Sequence, residues 1–171
     1  MIGDIKKLRE LTSLGINECR KALEEARGDF DKALNILRNR GIQVMESKKD
    51  RRASQGLIDS YVHFGGNLGA LVEINCETDF VARTEVFKKF VKDIAMQVAA
   101  TNPKYIKRQD IPQEELAKIE DPDGYASENC LLEQLFIKDN TFTVGNYLQQ
   151  VVSQTGENII IRRFCRFSLE G

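Results

Sequence analysis

The residues with most capacity for chemistry lie in one stretch, Leu71-Val72-Glu73-Ile74-Asn75-Cys76-Glu77-Thr78-Asp79-Phe80-Val81-Ala82-Arg83. Its first half alternates apolar and polar residues, as a half-buried strand does, and its end leads into a long amphipathic pattern. At the join a carboxylate and an aromatic ring stand side by side, Asp79 and Phe80, where the acid can face solvent or a partner while the ring seeks an apolar cavity. Spacing alone gives the pair a plainer reading, with Asp79 a cap or turn residue and Phe80 part of the core. Elsewhere the chemistry is thin. Cys19, Cys76, Cys130 and Cys165 are widely spaced with no C-x-x-C pair, and His63 is the single histidine, so no zinc site or haem attachment is expected and the thiols should be free and at least half-buried. His63 sits beside Tyr61 in a strand pattern without a nearby nucleophile, and no P-loop, G-x-G-x-x-G or G-x-S-x-G pattern occurs. The chain is therefore expected not to be an enzyme, with no catalytic residue, metal or cofactor.

The elements that must carry Asp79 and Phe80 follow from hydrophobic period. Residues 4–40 read as three short helices. The first has Ile5, Leu8 and Leu11 on one face and Asp4 as cap; the second opens at Asn17 with Cys19, Ala22, Leu23 and Ala26 inward and ends at Gly28; the third is capped by Asp29, carries Phe30, Ala33, Leu34 and Leu37, and closes at Gly41. Residues 46–55 are polar and basic, a linker or solvated helix. Leu57 to Phe64 and Ala70 to Cys76 form a hairpin across Gly65-Gly66-Asn67-Leu68-Gly69. After Asp79-Phe80 comes a helix capped by Thr84, with Phe87, Phe90, Val91, Ile94, Ala95 and Val98 facing the sheet. Between Thr101 and Cys130 periodicity fails, apart from a short helix over Gln113 to Ile119 and a turn at Asp121-Pro122-Asp123-Gly124. Thr143 caps a last helix closed at Gly156, and Ile159 to Leu169 is the final strand, with apolar residues and arginines on both faces, the pattern of a strand half-buried in an interface.

With 171 residues, 42% of them hydrophobic, the chain supports a small and a medium domain. A net charge of -1 gives no overall electrostatic reason to bind nucleic acid or an anionic membrane. No apolar run approaches the roughly 20 residues that cross a bilayer, and the N-terminus lacks the plan of a secretion signal. The protein is expected to remain where it is made.

Three separated strings carry a family resemblance. Glu-Ile-Asn-Cys-Glu-Thr-Asp-Phe-Val-Ala-Arg, from Glu73 to Arg83, resembles the signature of the elongation factor Ts family, the exchange factors for elongation factor Tu. Ile5 to Leu37, with Lys6-Lys7-Leu8-Arg9-Glu10, Lys21-Ala22-Leu23 and Gly28-Asp29, and Gly156-Glu157-Asn158-Ile159-Ile160-Ile161-Arg162-Arg163-Phe164 resemble the same family, in order and at both ends. The resemblance implies an α+β fold: an N-terminal three-helix domain of the ubiquitin-associated type (1–45), a basic linker (46–55), and a three-stranded antiparallel sheet packed with helices (56–171), the core and dimerisation domain. It implies an exchange factor that binds elongation factor Tu through the first domain, at a loop whose matching positions are Thr12, Gly15, Ile16 and Asn17. The family's two loop methionines are Ile16 and Asn17 here. It also implies that Thr78, Asp79, Phe80 and Val81 dislodge the partner's magnesium.

Long members of the family have two related core halves and this chain has room for one, so the short form implies a homodimer, in a 2:2 complex with elongation factor Tu. Cys165 near a two-fold axis would then face its mate, although a reducing compartment opposes a disulfide. The short form usually carries a longer helical insert where Asp121-Pro122-Asp123-Gly124 stands. The expected location is a bacterial cytoplasm, or a plastid stroma if the chain is made there. Two other readings use the same residues: an RNA-binding accessory through the basic linker and Arg162, Arg163 and Arg166, and a ubiquitin-type adaptor through the first domain alone.

Overall fold

The structure is a computed structural model and describes residues 2–12 and 14–169; Ser13 of the N-terminal loop lies outside the described residues. The contacts divide the chain into two units, residues 1–52 with 149–158, and residues 53–148 with 159–171.

The first unit begins with helices α1 (Ile2–Thr12), α2 (Ile16–Glu25) and α3 (Phe30–Lys48). Their shared core is Leu8, Cys19, Ala22, Leu23, Ala26, Ala33 and Leu37, with Ile5, Leu14, Phe30, Leu34 and Ile36 packed around it. Leu11, expected inward, is exposed, and Asp4 lies inside the first turn of α1 rather than capping it. Arg27 and Gly28 take positive φ after α2, and the Gly28 amide donates back to the Leu23 carbonyl at 2.8 Å, which closes the helix. Asp29 caps α3 as expected, accepting from the Lys32 amide at 3.1 Å. That helix does not stop at Gly41. It runs on to Lys48, and residues 46–48 of the basic segment are helical, because Gly41 is buried inside the helix and the residues beyond it keep helical propensity. In the rest of the unit, Gln150 donates to the Leu11 carbonyl at 2.7 Å, and the Asn158 amide donates to the carbonyls of Lys49 and Arg51 at 3.3 and 2.9 Å.

In the second unit β1 (Gln55–Val62), β2 (Leu68–Cys76) and β5 (Ile160–Ser168) form an antiparallel sheet of order β1-β2-β5. The fold is α+β. Register places Ala70, Val72 and Ile74 of β2 beside Tyr61, Asp59 and Leu57 on one face, and this face carries α5 (Glu85–Thr101). The predicted stripe of α5, Phe87, Phe90, Val91, Ile94, Ala95 and Val98, is fully buried. Gly56, at φ +147°, has no room for a Cβ against the Ile74 carbonyl, so this strand entry requires glycine.

Three elements of this unit depart from expectation. Asp121-Pro122-Asp123-Gly124 is no turn: it starts helix α7 (Pro122–Asn129), with Asp121 accepting from the Gly124 amide at 3.0 Å and Pro122 preset for a first helical position. Helix α6 (Gln113–Leu116) is shorter than predicted. A hairpin of β3 (Leu135–Phe136) and β4 (Asp139–Thr143) precedes α8 (Val144–Thr155), which Thr143 caps by accepting from the Asn146 amide at 3.2 Å. Lys138 of the hairpin turn and the Tyr147 hydroxyl donate to the buried Asp93 carboxylate of α5 at 2.6 and 2.9 Å. Burial and that bond push the Tyr147 phenol up.

Between α5 and the hairpin, Ile111, Ala126 and Cys130 make a small separate core with Tyr105, Leu116 and Tyr125. Both phenols donate to Glu115, Tyr105 at 2.6 Å, and these bonds hold the carboxyl below its usual range. Reciprocally, the bonded carboxylate pushes both phenols up to about 12. A raised phenol pKa favours the fold below the unfolded value of 10.0 and loses that effect as pH climbs through about 12, whereas the carboxylate's share is lost as pH falls through its own lowered value. Ultraviolet titration should therefore show Tyr105 and Tyr125 ionising near pH 12 in the folded protein, and Glu115→Gln should bring both back toward 10.0.

Candidate functional site

Asp79 and Phe80 occupy the corner between β2 and α5. Cys76 ends the strand fully buried, and its thiol donates to the Thr78 carbonyl at 3.1 Å. Thr78 then caps the four-residue helix α4 (Asp79–Ala82), its hydroxyl accepting from the Val81 amide at 3.4 Å. Asp79 lies in the first turn of α4, where a negative charge suits the helix dipole, and pairs with Arg83 at 2.8 Å. Ala82 is buried and seats the helix; Val81 is half-buried. Phe80 points outward and is 77% exposed, so it is not a core residue, as spacing alone had suggested. The four residues expected to act together, Thr78, Asp79, Phe80 and Val81, are thus brought together, with an acid and an apolar ring presented on a fixed corner. Among the described residues no group of three or more His, Cys, Asp or Glu is placed to hold a metal.

The N-terminal loop separates into a scaffold and a surface. Thr12 is buried and its hydroxyl donates to the Leu8 carbonyl at 2.7 Å. Gly15, in extended backbone, precedes α2 as its cap position. Ile16, 55% exposed, and Asn17 form the outer edge.

Sequence reasoning did not separate the two faces of the sheet. Away from α5, register puts Ile58, Glu73 and Arg163 in one row, Ser60, Leu71 and Cys165 in the next, and Val62, Gly69 and Phe167 in a third. Ile58, Val62, Leu71 and Phe167 are all exposed large apolar residues, and Leu169 lies beside Val62, Leu71 and Phe167. The signal was present in the alternation of β1, but β5 hid it, because its arginines lie on both faces. Arg163, on the outer face, pairs with Glu73 at 2.6 Å, and Arg166, on the inner face, donates to the Ala99 carbonyl at 2.9 Å.

The family model described as "Elongation factor TS" matches residues 3–121. Proteins named "Elongation factor Ts" are similar over nearly the whole length. The one from Thermoanaerobacter sp. is 46% identical over 95% of this chain and 91% of its own, and the one from Caldanaerobacter subterraneus is 45% identical over 95% and 93%. That from Carboxydothermus hydrogenoformans is 44% identical over 96% of this chain and 87% of its own. The chain belongs to the elongation factor Ts family and is a translation elongation factor. Among the described residues no helix is long and apolar enough to cross a membrane.

Cys19, Cys76 and Cys130 are buried and Cys165 is exposed, against the expectation of four shielded thiols; burial also pushes the Cys19 and Cys130 thiols up, away from the reactive thiolate. A thiol-alkylating reagent at neutral pH should therefore leave Cys19, Cys76 and Cys130 unlabelled in the native protein and reach them only after denaturation, as peptide mass spectrometry would read.

Proposed function

We propose that the chain is the guanine nucleotide exchange factor for elongation factor Tu, and that the Thr78–Val81 corner is the part that acts. The observation carrying this reading is the 77% exposure of Phe80, beside Asp79, on a capped corner that a buried strand end holds in place. A lone large aromatic displayed in this way gains by entering an apolar pocket of a partner. Magnesium demands near-ideal octahedral oxygen ligands and dehydrates reluctantly, so a wedge that shifts its surroundings loosens the nucleotide it helps to hold. Phe80 is the wedge, Asp79 rearranges the partner's polar network, and Thr78 and Val81 hold the turn. The three-helix domain (1–45) supplies affinity through Ile16 and Asn17, on a loop that Thr12 and Gly15 shape, and the segment 46–55 joins it to the core (56–171). Linkage requires that the factor weaken nucleotide binding by the same free energy with which nucleotide weakens the factor, so release of either nucleotide is accelerated and the equilibrium between them is unchanged. The chemistry belongs to the partner; this chain is not an enzyme, and it works in a bacterial cytoplasm or a plastid stroma.

The same reading includes a homodimer, two copies binding two molecules of elongation factor Tu. The apolar outer sheet face of Ile58, Val62, Leu71 and Phe167 supports it, since a contiguous patch of this kind marks an interaction surface and a two-fold contact buries it on both copies at once. Light scattering should show a dimer that Leu71→Asp converts to a folded monomer; a wild-type monomer at micromolar concentration would remove this part of the reading. For exchange itself, the full chain should accelerate release of a fluorescent GDP analogue from cognate elongation factor Tu. Phe80→Ala should lose most of that acceleration, by on the order of a hundredfold, while unfolding at the wild-type temperature, because the ring is exposed. No acceleration by the wild type would refute the exchange reading.

A further inference from the structure

Thr84 stands between α4 and α5 and its hydroxyl is used twice. It donates to the Val81 carbonyl at 2.7 Å and accepts from the Phe87 amide at 3.3 Å. The second bond is an ordinary helix cap. The first is not needed for α5. It belongs to α4, and the Thr84 amide reinforces it by donating to the same Val81 carbonyl at 3.0 Å.

A helix of four residues has no stability of its own, since nucleation alone fixes three residues for a single bond. The bonds inside and at the ends of α4 are long: 3.4 Å at the Thr78 cap, and 3.2 and 3.3 Å from the Arg83 amide to the carbonyls of Asp79 and Phe80. The tie to Thr84, an ordinary hydroxyl bond of 2.7 Å, connects α4 to a helix whose first buried residues, Phe87, Phe90 and Val91, are fixed in the core. At the other end the Cys76 thiol holds the Thr78 carbonyl to the sheet. The orientation of α4, and with it the direction of the exposed Phe80 ring, is therefore set from outside, by the seating of Ala82, by the Cys76 thiol and by the Thr84 hydroxyl.

We propose that Thr84 is a positioning residue for nucleotide exchange: its hydroxyl aims the Asp79-Phe80 pair by locking α4 to α5, beyond its role as the α5 cap. The inference rests on the reading of Thr78–Val81 as the inserted segment. A wedge held in its working direction before docking loses little conformational freedom on entry, whereas one that swings must be ordered at the moment it works.

Three substitutions separate the two uses of the hydroxyl. Thr84→Ser keeps donor and acceptor, Thr84→Asp keeps the acceptor for the Phe87 amide and removes the donor, and Thr84→Val removes both without adding charge. For each full-length variant, release of a fluorescent GDP analogue from elongation factor Tu is measured against exchange-factor concentration, alongside thermal unfolding. Thr84→Ser should match the wild type. Thr84→Asp should unfold near the wild-type temperature yet reach a maximal release rate lower by on the order of tenfold, with the half-saturating concentration changing far less, and Thr84→Val should lose at least as much rate. A wild-type maximal rate in Thr84→Asp or Thr84→Val overturns the proposal, as does a rate loss that simply follows thermal stability across the three. A wild-type protein that fails to accelerate release is a different result, and it removes the inserted-segment reading itself.

Discussion

Everything at the corner depends on one constraint: the chain leaves the central strand of the sheet and, after only eight intervening residues, must begin a helix packed on that same sheet. Residues 77–84 cannot be a loose loop, because Cys76 on one side and Phe87 on the other are both fully buried. The backbone groups exposed by so tight a reversal need partners, and short polar side chains supply them locally: Thr78 at the start of α4, Thr84 at its end and at the start of α5. Once both ends are fixed, the residues between them have a set direction. Ala82 faces in and Phe80 faces out. At 77% exposure the Phe80 ring adds little to the burial that drives folding.

The sheet shows the same economy of polar groups. Its inner face is closed by α5, and the one buried carboxylate there, Asp93, is met by Lys138 and Tyr147 and not left alone. The outer face keeps its apolar residues exposed around a single cross-strand ion pair, Glu73 with Arg163. The small lobe around Glu115 has its own compact core. Capping by Asp121 starts the two-turn helix α7 after Pro112 and α6.

Much of this was legible in the sequence where one signal dominated. The α5 stripe, the Thr84, Asp29 and Thr143 caps, and the glycine-rich hairpin follow from period and local bonding, and each is found. The direction of Phe80 was not legible from spacing, since strand and helix periods meet at that residue and either face is compatible with both; the family motif resolved it. The β3–β4 hairpin was missed because its paired segments are very short and polar at the turn, giving no alternation to read. The end of α3 was misplaced because glycine was taken as a stop, whereas Gly41 packs inside the helix beside the Gln149 side chain. The outer sheet face became visible only with the register, which sorts Arg163 and Arg166 of β5 to opposite faces.

The most direct test of the account is fluorine NMR of the full chain carrying a fluorinated phenylalanine at position 80. In the free protein the resonance should report a single solvent-exposed environment. Addition of nucleotide-free elongation factor Tu should move it to a buried position, and excess GDP should return it. A resonance unchanged by the partner under conditions where the complex forms would contradict the claim that this ring enters the partner's nucleotide site.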